Sequence, residues 1–302
     1  MPATARPLPQ PLAPGARIGV AALAGPADPA ALGAGVDWLR QHGYEVVLAP
    51  NVSARDGYLA GSDEARLDGL SFLLDRGVKA LVATRGGYGI MRLLPLLPWQ
   101  RLAAWGGWVV GFSDATALHA ALATRFPLAT LHGPMVTSLA RRPRDAEALL
   151  AWLSGTAPRR LFRFRAERVV RPGQAHGIAV GGNLSLLASL TGTGFEPEYD
   201  GAVMLLEDVA EPGYRLDRLL TQMRLSGRLA RVRAVVAGRM HRCGRGEVGW
   251  HERWRRLLAE AVPDAVVVEG VSFGHGLRNA PFPLGVEVEV DTGAGEICWR
   301  AG

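Results

Sequence analysis

The stretch Lys79-Ala-Leu-Val-Ala-Thr-Arg-Gly-Gly-Tyr-Gly89 is a short apolar run that ends in a turn with three glycines. A run of this length, bounded by glycines, is typical of a strand buried on both faces. The same pattern returns at Trp108-Val-Val-Gly-Phe-Ser-Asp114, which is followed by a helical pattern over residues 115–125. Apolar strands that alternate with helices predict a parallel sheet covered on both faces.

This alternation extends in both directions from the two strands. Further apolar strands are predicted at residues 17–24, 44–49 and 128–131. Asp28 and Ser62 each stand before a helical pattern, at the position where a helix N-cap is expected. Residues 1–140 are therefore predicted to form an α/β domain.

The second half of the chain has a different composition and a different pattern of predicted elements. Composition shifts to arginine and proline over residues 141–165, which we interpret as a linker, and residues 166–302 are predicted to form a mixed α/β or α+β domain. Its strands are predicted at 159–171, 202–207, 234–237 and 265–269, its helices at 183–190, 216–229 and 251–261, a turn at Gly181-Gly182, and a hairpin over 285–299.

Charge and hydropathy argue against several classes of function. The 302 residues carry 34 basic against 28 acidic side chains, so the net charge of +6 is modest. The densest basic segment, residues 159–171, alternates with apolar residues like the solvated face of a strand, and no recognition motif accompanies it. No segment approaches the roughly 20 apolar residues of a membrane span. We therefore expect neither a nucleic-acid nor a membrane partner.

The cysteines and the first residues bear on the compartment. Cys243 and Cys298 lie far apart and form no CxxC pair, which is typical of a protein kept in a reducing compartment. The apolar run at residues 18–24 stops at Gly25-Pro26 and lacks the charged start and cleavage site of a signal peptide. These features predict a soluble, cytoplasmic protein.

The first candidate for chemistry is Ser113, on the turn between a buried strand and a helix. This is the geometry of a nucleophile elbow, which exposes the hydroxyl and points the next backbone N–H, from Asp114, to where an oxyanion forms. The G-x-S-x-G signature is half met, because Ala115 replaces the second glycine. The local pattern leaves open that Ser113 is only a helix N-cap.

Three other segments carry candidate groups. The glycines at 86, 87 and 89 let backbone amides approach a ligand at the end of a strand, although a plain tight turn fits equally well. Glu207 ends an apolar strand, where a carboxylate needs a partner. His275 lies between two glycines, the most accessible setting among the seven histidines. Since no histidines show metal-ligand spacing, we expect no metal and no other cofactor.

The chain carries nine short motifs in a defined order: Gly25-Pro26, Asp56-Gly-Tyr-Leu-Ala-Gly61, Asp63-x-x-Arg66, Arg85-Gly-Gly-Tyr-Gly89, Gly111-Phe-Ser-Asp114, His132-Gly-Pro134, Gly181-Gly-Asn-Leu-Ser185, Leu206-Glu-Asp208 and Gly274-His275. Together they resemble the LD-carboxypeptidase family, also called muramoyltetrapeptide carboxypeptidases, which has the microcin-immunity peptidases as relatives. No single motif is decisive, but the ordered set covers nearly the whole chain.

The resemblance implies a serine peptidase with an N-terminal Rossmann-like parallel-sheet domain and a C-terminal swivelling-type β/α domain. It implies a Ser-His-Glu triad in which Ser113 is the nucleophile, His275 the base and Glu207 the group that holds the imidazole tautomer. Phe112 stands where many relatives carry tyrosine, a change that we expect to matter little.

The same resemblance implies the remaining contacts of the site. Asp114 N–H and the amide of Gly86 or Gly87 are expected to form the oxyanion hole. Arg85 and Asn183 are expected to line the substrate site, with Arg85 drawing in a substrate carboxylate.

The expected substrate is a cytoplasmic murein tetrapeptide, cleaved at the L,D bond to its terminal D-alanine, and the expected assembly is a homodimer. One alternative is a microcin-immunity enzyme that cleaves peptidyl-nucleotide antibiotics, for which Trp108 or Trp250 would contact the nucleobase. An alternative from another class is a non-catalytic two-domain ligand-binding protein, which would tolerate loss of the three triad residues.

Overall fold

The computed structural model describes residues 4–300, which divide into two compact units. The first unit comprises residues 8–157 and 280–282, and the second comprises the described residues of 1–7, 158–279 and 283–302. The chain passes between them after residue 157, and the domain limits at 140 and 166 stay predictions. Within the described range no helix has the length and apolar character needed to cross a membrane.

The first unit is organised around a six-stranded sheet. With strands numbered along the chain, its members are β1 (Arg17–Ala21), β2 (Glu45–Leu48), β3 (Ala80–Ala83), β4 (Trp108–Gly111) and β5 (Thr130–His132), together with β12 (Phe282–Leu284), of which Phe282 falls within the unit. Their order is β12-β5-β4-β3-β1-β2, and the pairs from β5 to β2 are parallel. The predicted parallel sheet is confirmed, while β12 adds an edge that the sequence did not predict.

Helices connect these strands, and two of them begin at the predicted caps. They are α1 (Pro29–Gln41), α2 (Asp63–Asp75), α3 (Ile90–Leu93), α4 (Trp99–Trp105), α5 (Thr116–Arg125) and α6 (Pro143–Leu153). Asp28 Oδ1 accepts a hydrogen bond from Ala31 N at 2.8 Å, and Ser62 Oγ accepts one from Ala65 N at 3.1 Å. Each cap satisfies a backbone donor that the helix itself cannot.

The second unit contains an eight-stranded mixed sheet. Its strands are β6 (Arg160–Arg163), β7 (Val169–Arg171), β8 (Gln174–Asn183), β9 (Val203–Glu207), β10 (Ala234–Gly238), β11 (Val266–Val271), β13 (Glu287–Asp291) and β14 (Glu296–Trp299). The order is β6-β14-β13-β8-β9-β10-β11-β7, with β8 to β11 parallel and the outer strands antiparallel.

The core of the second unit lies against the parallel centre of this sheet. The helices are α7 (Leu184–Leu190), α8 (Gly213–Leu225) and α9 (Trp250–Ala261). Their apolar faces, which include the buried side chains of Leu187, Leu216 and Trp254, pack with those of the strands. Because the central strands are buried, their sequences are continuous apolar runs.

Two predictions about the second half were wrong. Gly181-Gly182 is not a turn but the end of β8, where the carbonyl oxygen of Leu205 on β9 would lie 1.8 Å from a Cβ on Gly181. Glycine is needed there by close backbone approach and by a φ of 147°. The basic segment is not one strand, since a 3₁₀ turn at Ala166–Arg168 separates β6 from β7, and these strands pair with different neighbours.

Candidate active site

Ser113 is the second residue after β4 and has a strained backbone conformation. Its φ is 62°, in the left-handed region that a non-glycine residue rarely adopts. The residue opens a 3₁₀ turn, with Phe112 in the cap position and α5 following. Ser113 is therefore not the N-cap of a helix, and the strand–turn–helix geometry is that of a nucleophile elbow.

Gly86 packs directly against the Ser113 side chain. A Cβ on Gly86 would come within 2.8 Å of Ser113 Cβ, 2.9 Å of Ser113 Oγ and 3.5 Å of Asp114 N. The turn after β3 and the turn after β4 thus meet at the serine hydroxyl, because neighbouring parallel strands end at the same edge of the sheet. The structure brings together three predicted site residues: Gly86, Ser113 and Asp114.

The buried carboxylate of Asp114 ties these two turns together. Its Oδ2 accepts a hydrogen bond from Ile90 N, at 3.0 Å, at the start of α3. Burial raises the pKa of Asp114, while this hydrogen bond and the charge of Arg66 act in the opposite direction. The side chain therefore positions the turn, and its backbone N–H remains the group predicted to serve the oxyanion.

Arg66, on α2, supports the glycine turn at Gly89, a role that was not predicted from the sequence. Its fully buried guanidinium donates to Leu23 O and to the Asp63 carboxylate, which Arg92 also engages at 2.7 Å. A Cβ on Gly89 would lie 2.7 Å from Arg66 Nη1, so the glycine turn rests on the guanidinium. The Asp63-x-x-Arg66 spacing, one helical turn of α2, is the sequence signal for this pair.

Arg85, predicted to attract a substrate carboxylate, contacts backbone carbonyls in the structure. Its Nε donates to Gly86 O at 3.2 Å and its Nη1 donates to Pro26 O at 3.3 Å. Gly87, the other predicted oxyanion donor, has a φ of 124° and packs against Gly25. Both residues thus shape the glycine turn, and their contacts with substrate stay predictions.

In the second unit, Glu207 and His275 form a hydrogen-bonded pair. Glu207 Oε2 accepts from His275 Nδ1 at 2.6 Å and from the His275 backbone N–H at 3.0 Å. Glu207 is fully buried, whereas 19% of the His275 side chain is exposed. Because Nδ1 donates its N–H to the Glu207 carboxylate, Nδ1 carries the ring proton and Nε2 is the basic nitrogen. This tautomer is the one that a general base needs.

Asn183 and Asp208 hold this pair in place. Asn183 Nδ2 donates to Asp208 Oδ1 at 2.9 Å and lies 3.4 Å from Glu207 Oε1, while its Oδ1 accepts from Leu186 N. Asp208 also accepts two hydrogen bonds from Ser185, although burial raises the pKa of its carboxyl. Asn183, predicted to bind substrate, thus orients Glu207. Asp208, which follows Glu207 in the predicted motif, holds Asn183 in turn.

The close packing of Gly86 against Ser113 predicts that a single added methyl group has a strong effect. Gly86→Ala is expected to lower kcat by about 100-fold or more, because the added Cβ must displace Ser113 or its turn. Gly86 has no positive φ, so alanine does not strain its backbone. Steady-state kinetics measure the effect; Gly33→Ala in α1, where no atom lies within 4 Å of the added carbon, is the control and should keep full activity. Equal activity in both variants would contradict this packing.

His119, on α5, links this helix to the end of β4. Its Nε2 donates to Gly111 O at 3.0 Å and its Nδ1 accepts from the Thr130 hydroxyl at 2.9 Å. Burial lowers the pKa of His119 to about 4. The ring is therefore neutral in the folded protein over most of the pH range.

This neutral ring predicts a loss of stability in acid. The unfolded chain binds a proton at His119 below about pH 6.5, whereas the folded chain binds it only below about pH 4. The free energy of unfolding should therefore fall by about 3 kcal/mol as the pH is lowered from 6.5 to 4. Denaturant titrations from pH 7 to 4 measure this slope. His119→Gln should flatten it, and the exposed His42→Gln should not; an unchanged slope in His119→Gln would refute the assignment.

Comparison with known proteins identifies two family domains in the chain. Residues 18–133 match the LD-carboxypeptidase N-terminal domain, and residues 176–290 match the LD-carboxypeptidase C-terminal domain. A relative from Streptomyces coelicolor is 42% identical over an alignment of 294 residues that covers 93% of each chain. The two matches follow the order of the two units.

Three further relatives have informative names. The murein tetrapeptide carboxypeptidase of Pseudomonas aeruginosa is 36% identical over 261 residues, covering 82% of this chain and 84% of that protein. The solved muramoyltetrapeptide carboxypeptidase of Oxalobacter formigenes has a TM-score of 0.80 and 26% identity, covering 94% and 97% of the two chains. The microcin C7 self-immunity protein of Escherichia coli is 25% identical over 320 residues, covering 93% and 92%. By domain content and by identity over its length, the chain belongs to the LD-carboxypeptidase family of serine-type peptidases.

Proposed function

We propose that this protein is a serine carboxypeptidase that removes the terminal D-alanine of murein tetrapeptides in cytoplasmic cell-wall recycling. The observation that carries the proposal is the strained backbone of Ser113, with Gly86 packed against its hydroxyl. Such strain costs of order 1–3 kcal/mol and persists where function requires it. A protein that only binds its ligand has no need of a serine held in this way.

The proposed reaction proceeds through an acyl-enzyme. His275 Nε2 takes the Ser113 proton as the hydroxyl oxygen attacks the carbonyl carbon of the L,D bond, and it then gives this proton to the departing D-alanine amine. Water, activated by the same imidazole, hydrolyses the ester and regenerates the serine. Glu207 stabilises the transient imidazolium, and Asp114 N–H with the amide of Gly86 or Gly87 stabilises the oxyanion.

The substrate class is proposed from the relatives and from the residues together. Two relatives named for murein peptides are 36% and 26% identical to the chain, against 25% for the microcin self-immunity protein. The homodimer and the absence of a metal or other cofactor are part of the proposal, and prolonged dialysis against a strong chelator should leave activity intact.

The two tryptophans considered for nucleobase contact both have structural roles. Trp108 is 1% exposed, and its indole N–H donates to Gln10 O at 2.9 Å. Trp250 packs on Gly244 and on the ring of Trp254, with 5.9 Å between ring centroids. This weakens the microcin-immunity alternative, since Trp108 is buried and Trp250 is half-buried against its neighbours.

One assay separates the three candidate functions. The purified protein is incubated with a murein tetrapeptide and, separately, with a peptidyl-adenylate analogue, and products are identified by mass spectrometry. Release of D-alanine from the tetrapeptide supports the proposal. Cleavage of the nucleotide conjugate alone would identify an immunity enzyme, and binding without cleavage of either compound would identify a ligand-binding protein.

A further inference from the structure

Arg239 begins the loop after β10, beside the strand that ends in Glu207. β10 pairs in parallel with β9, and Ala237 lies opposite Leu206, so Arg239 follows β10 at the level of Asp208. The backbone N–H of His241, two residues on, donates to Asp208 O at 3.0 Å and keeps the two strand ends together. Arg239 is thus placed at the edge of the sheet that carries the Glu207–His275 pair.

The Arg239 side chain lies across the backbone that follows His275. A Cβ on Gly276 would be 3.3 Å from Arg239 Cδ and 3.5 Å from Arg239 Cβ. The absence of a side chain at Gly276 therefore lets the methylene groups of Arg239 pass next to the base. Arg239 remains exposed to solvent.

Within residues 4–300 the guanidinium of Arg239 forms no ion pair and no hydrogen bond, and the neighbouring carboxylates are engaged elsewhere. Glu207 accepts from His275, and Asp208 accepts from Asn183 and Ser185. Arg85 differs, since two of its nitrogens already donate to carbonyl oxygens. An exposed guanidinium without a partner, beside a catalytic base, matches a carboxylate in charge and in bidentate geometry.

We propose that Arg239 binds the free C-terminal carboxylate of the substrate and so makes the enzyme a carboxypeptidase; this inference rests on the function proposed above. A carboxypeptidase must distinguish a terminal residue from an internal one, and only the terminal residue carries that carboxylate. The contact holds the departing residue next to His275 Nε2, which has to protonate its amine.

The test compares two substrates that share the scissile bond, the murein tetrapeptide and its C-terminal amide. The wild-type protein should prefer the free acid by about 10- to 100-fold in kcat/KM, mostly through KM. Arg239→Gln should lose this factor on the acid and change little on the amide, which removes the preference. Arg239→Lys should restore part of it, because it keeps the charge without the bidentate geometry.

Arg245→Gln is the matched control, an exposed arginine on the same loop that should retain the preference for the acid. Thermal unfolding verifies that the variants are folded. An equal loss on both substrates in Arg239→Gln, or a preference that survives the substitution, would overturn the inference while leaving the peptidase proposal standing. A wild-type protein that cleaves neither compound would instead refute the proposed function.

Discussion

Ser113→Ala should lower kcat on the murein tetrapeptide by about 10⁴-fold or more, with the fold unchanged. The hydroxyl is the atom proposed to bond to the substrate, and neither His275 nor the oxyanion donors can replace it. Alanine fits the same space, and it inherits the left-handed backbone that Ser113 already adopts. The loss should therefore be one of chemistry, with little change in the free energy of unfolding.

Kinetics and covalent labelling together check this prediction. A fluorophosphonate should modify residue 113 of the wild-type protein stoichiometrically and should fail to modify Ser113→Ala. Ser138→Ala is the control in the same unit, since the Ser138 hydroxyl donates to the backbone oxygen of Met135. Turnover of Ser113→Ala within about tenfold of wild type would show that another residue is the nucleophile.

Glu207→Gln should lower kcat by about 10³- to 10⁴-fold, the second largest effect. Glu207 Oε2 accepts from both the ring Nδ1 and the backbone N–H of His275. A glutamine has the same shape but is neutral, so it stabilises the imidazolium less and allows the ring to adopt the wrong tautomer. KM should change less than kcat, because the substitution acts on proton transfer.

The chain offers a close control for a buried carboxylate. Glu269, on β11 of the same sheet, is 4% exposed and pairs at 3.1 Å with Arg255 of α9. Glu269→Gln should lower stability yet keep kcat per folded molecule, whereas Glu207→Gln should lose kcat even where it is fully folded. If both variants lose stability and activity in the same proportion, Glu207 has only a structural role.

Local sequence signals determined the parallel strands of the first unit, two of its helix starts and the sharp turn at Ser113. Asp28 and Ser62 predicted two helix starts correctly, because a cap and its helix are a few residues apart. The apolar run at 108–111 followed by Phe112-Ser113 likewise predicted a strand and a sharp turn, since both depend on neighbours in sequence. The motifs in their order predicted the family.

Contacts between distant segments decided the rest, because no local pattern encodes which strand lies beside another. Gly181 was predicted to lie in a turn, but it lies in a strand and has to be glycine because it closely approaches Leu205 on the adjoining strand. Strand β12 joins a sheet formed by residues more than a hundred positions earlier. The support of Gly89 by buried Arg66, and the passage of Arg239 across Gly276, also arise only when the chain is folded, since side-chain packing depends on three-dimensional proximity rather than on spacing.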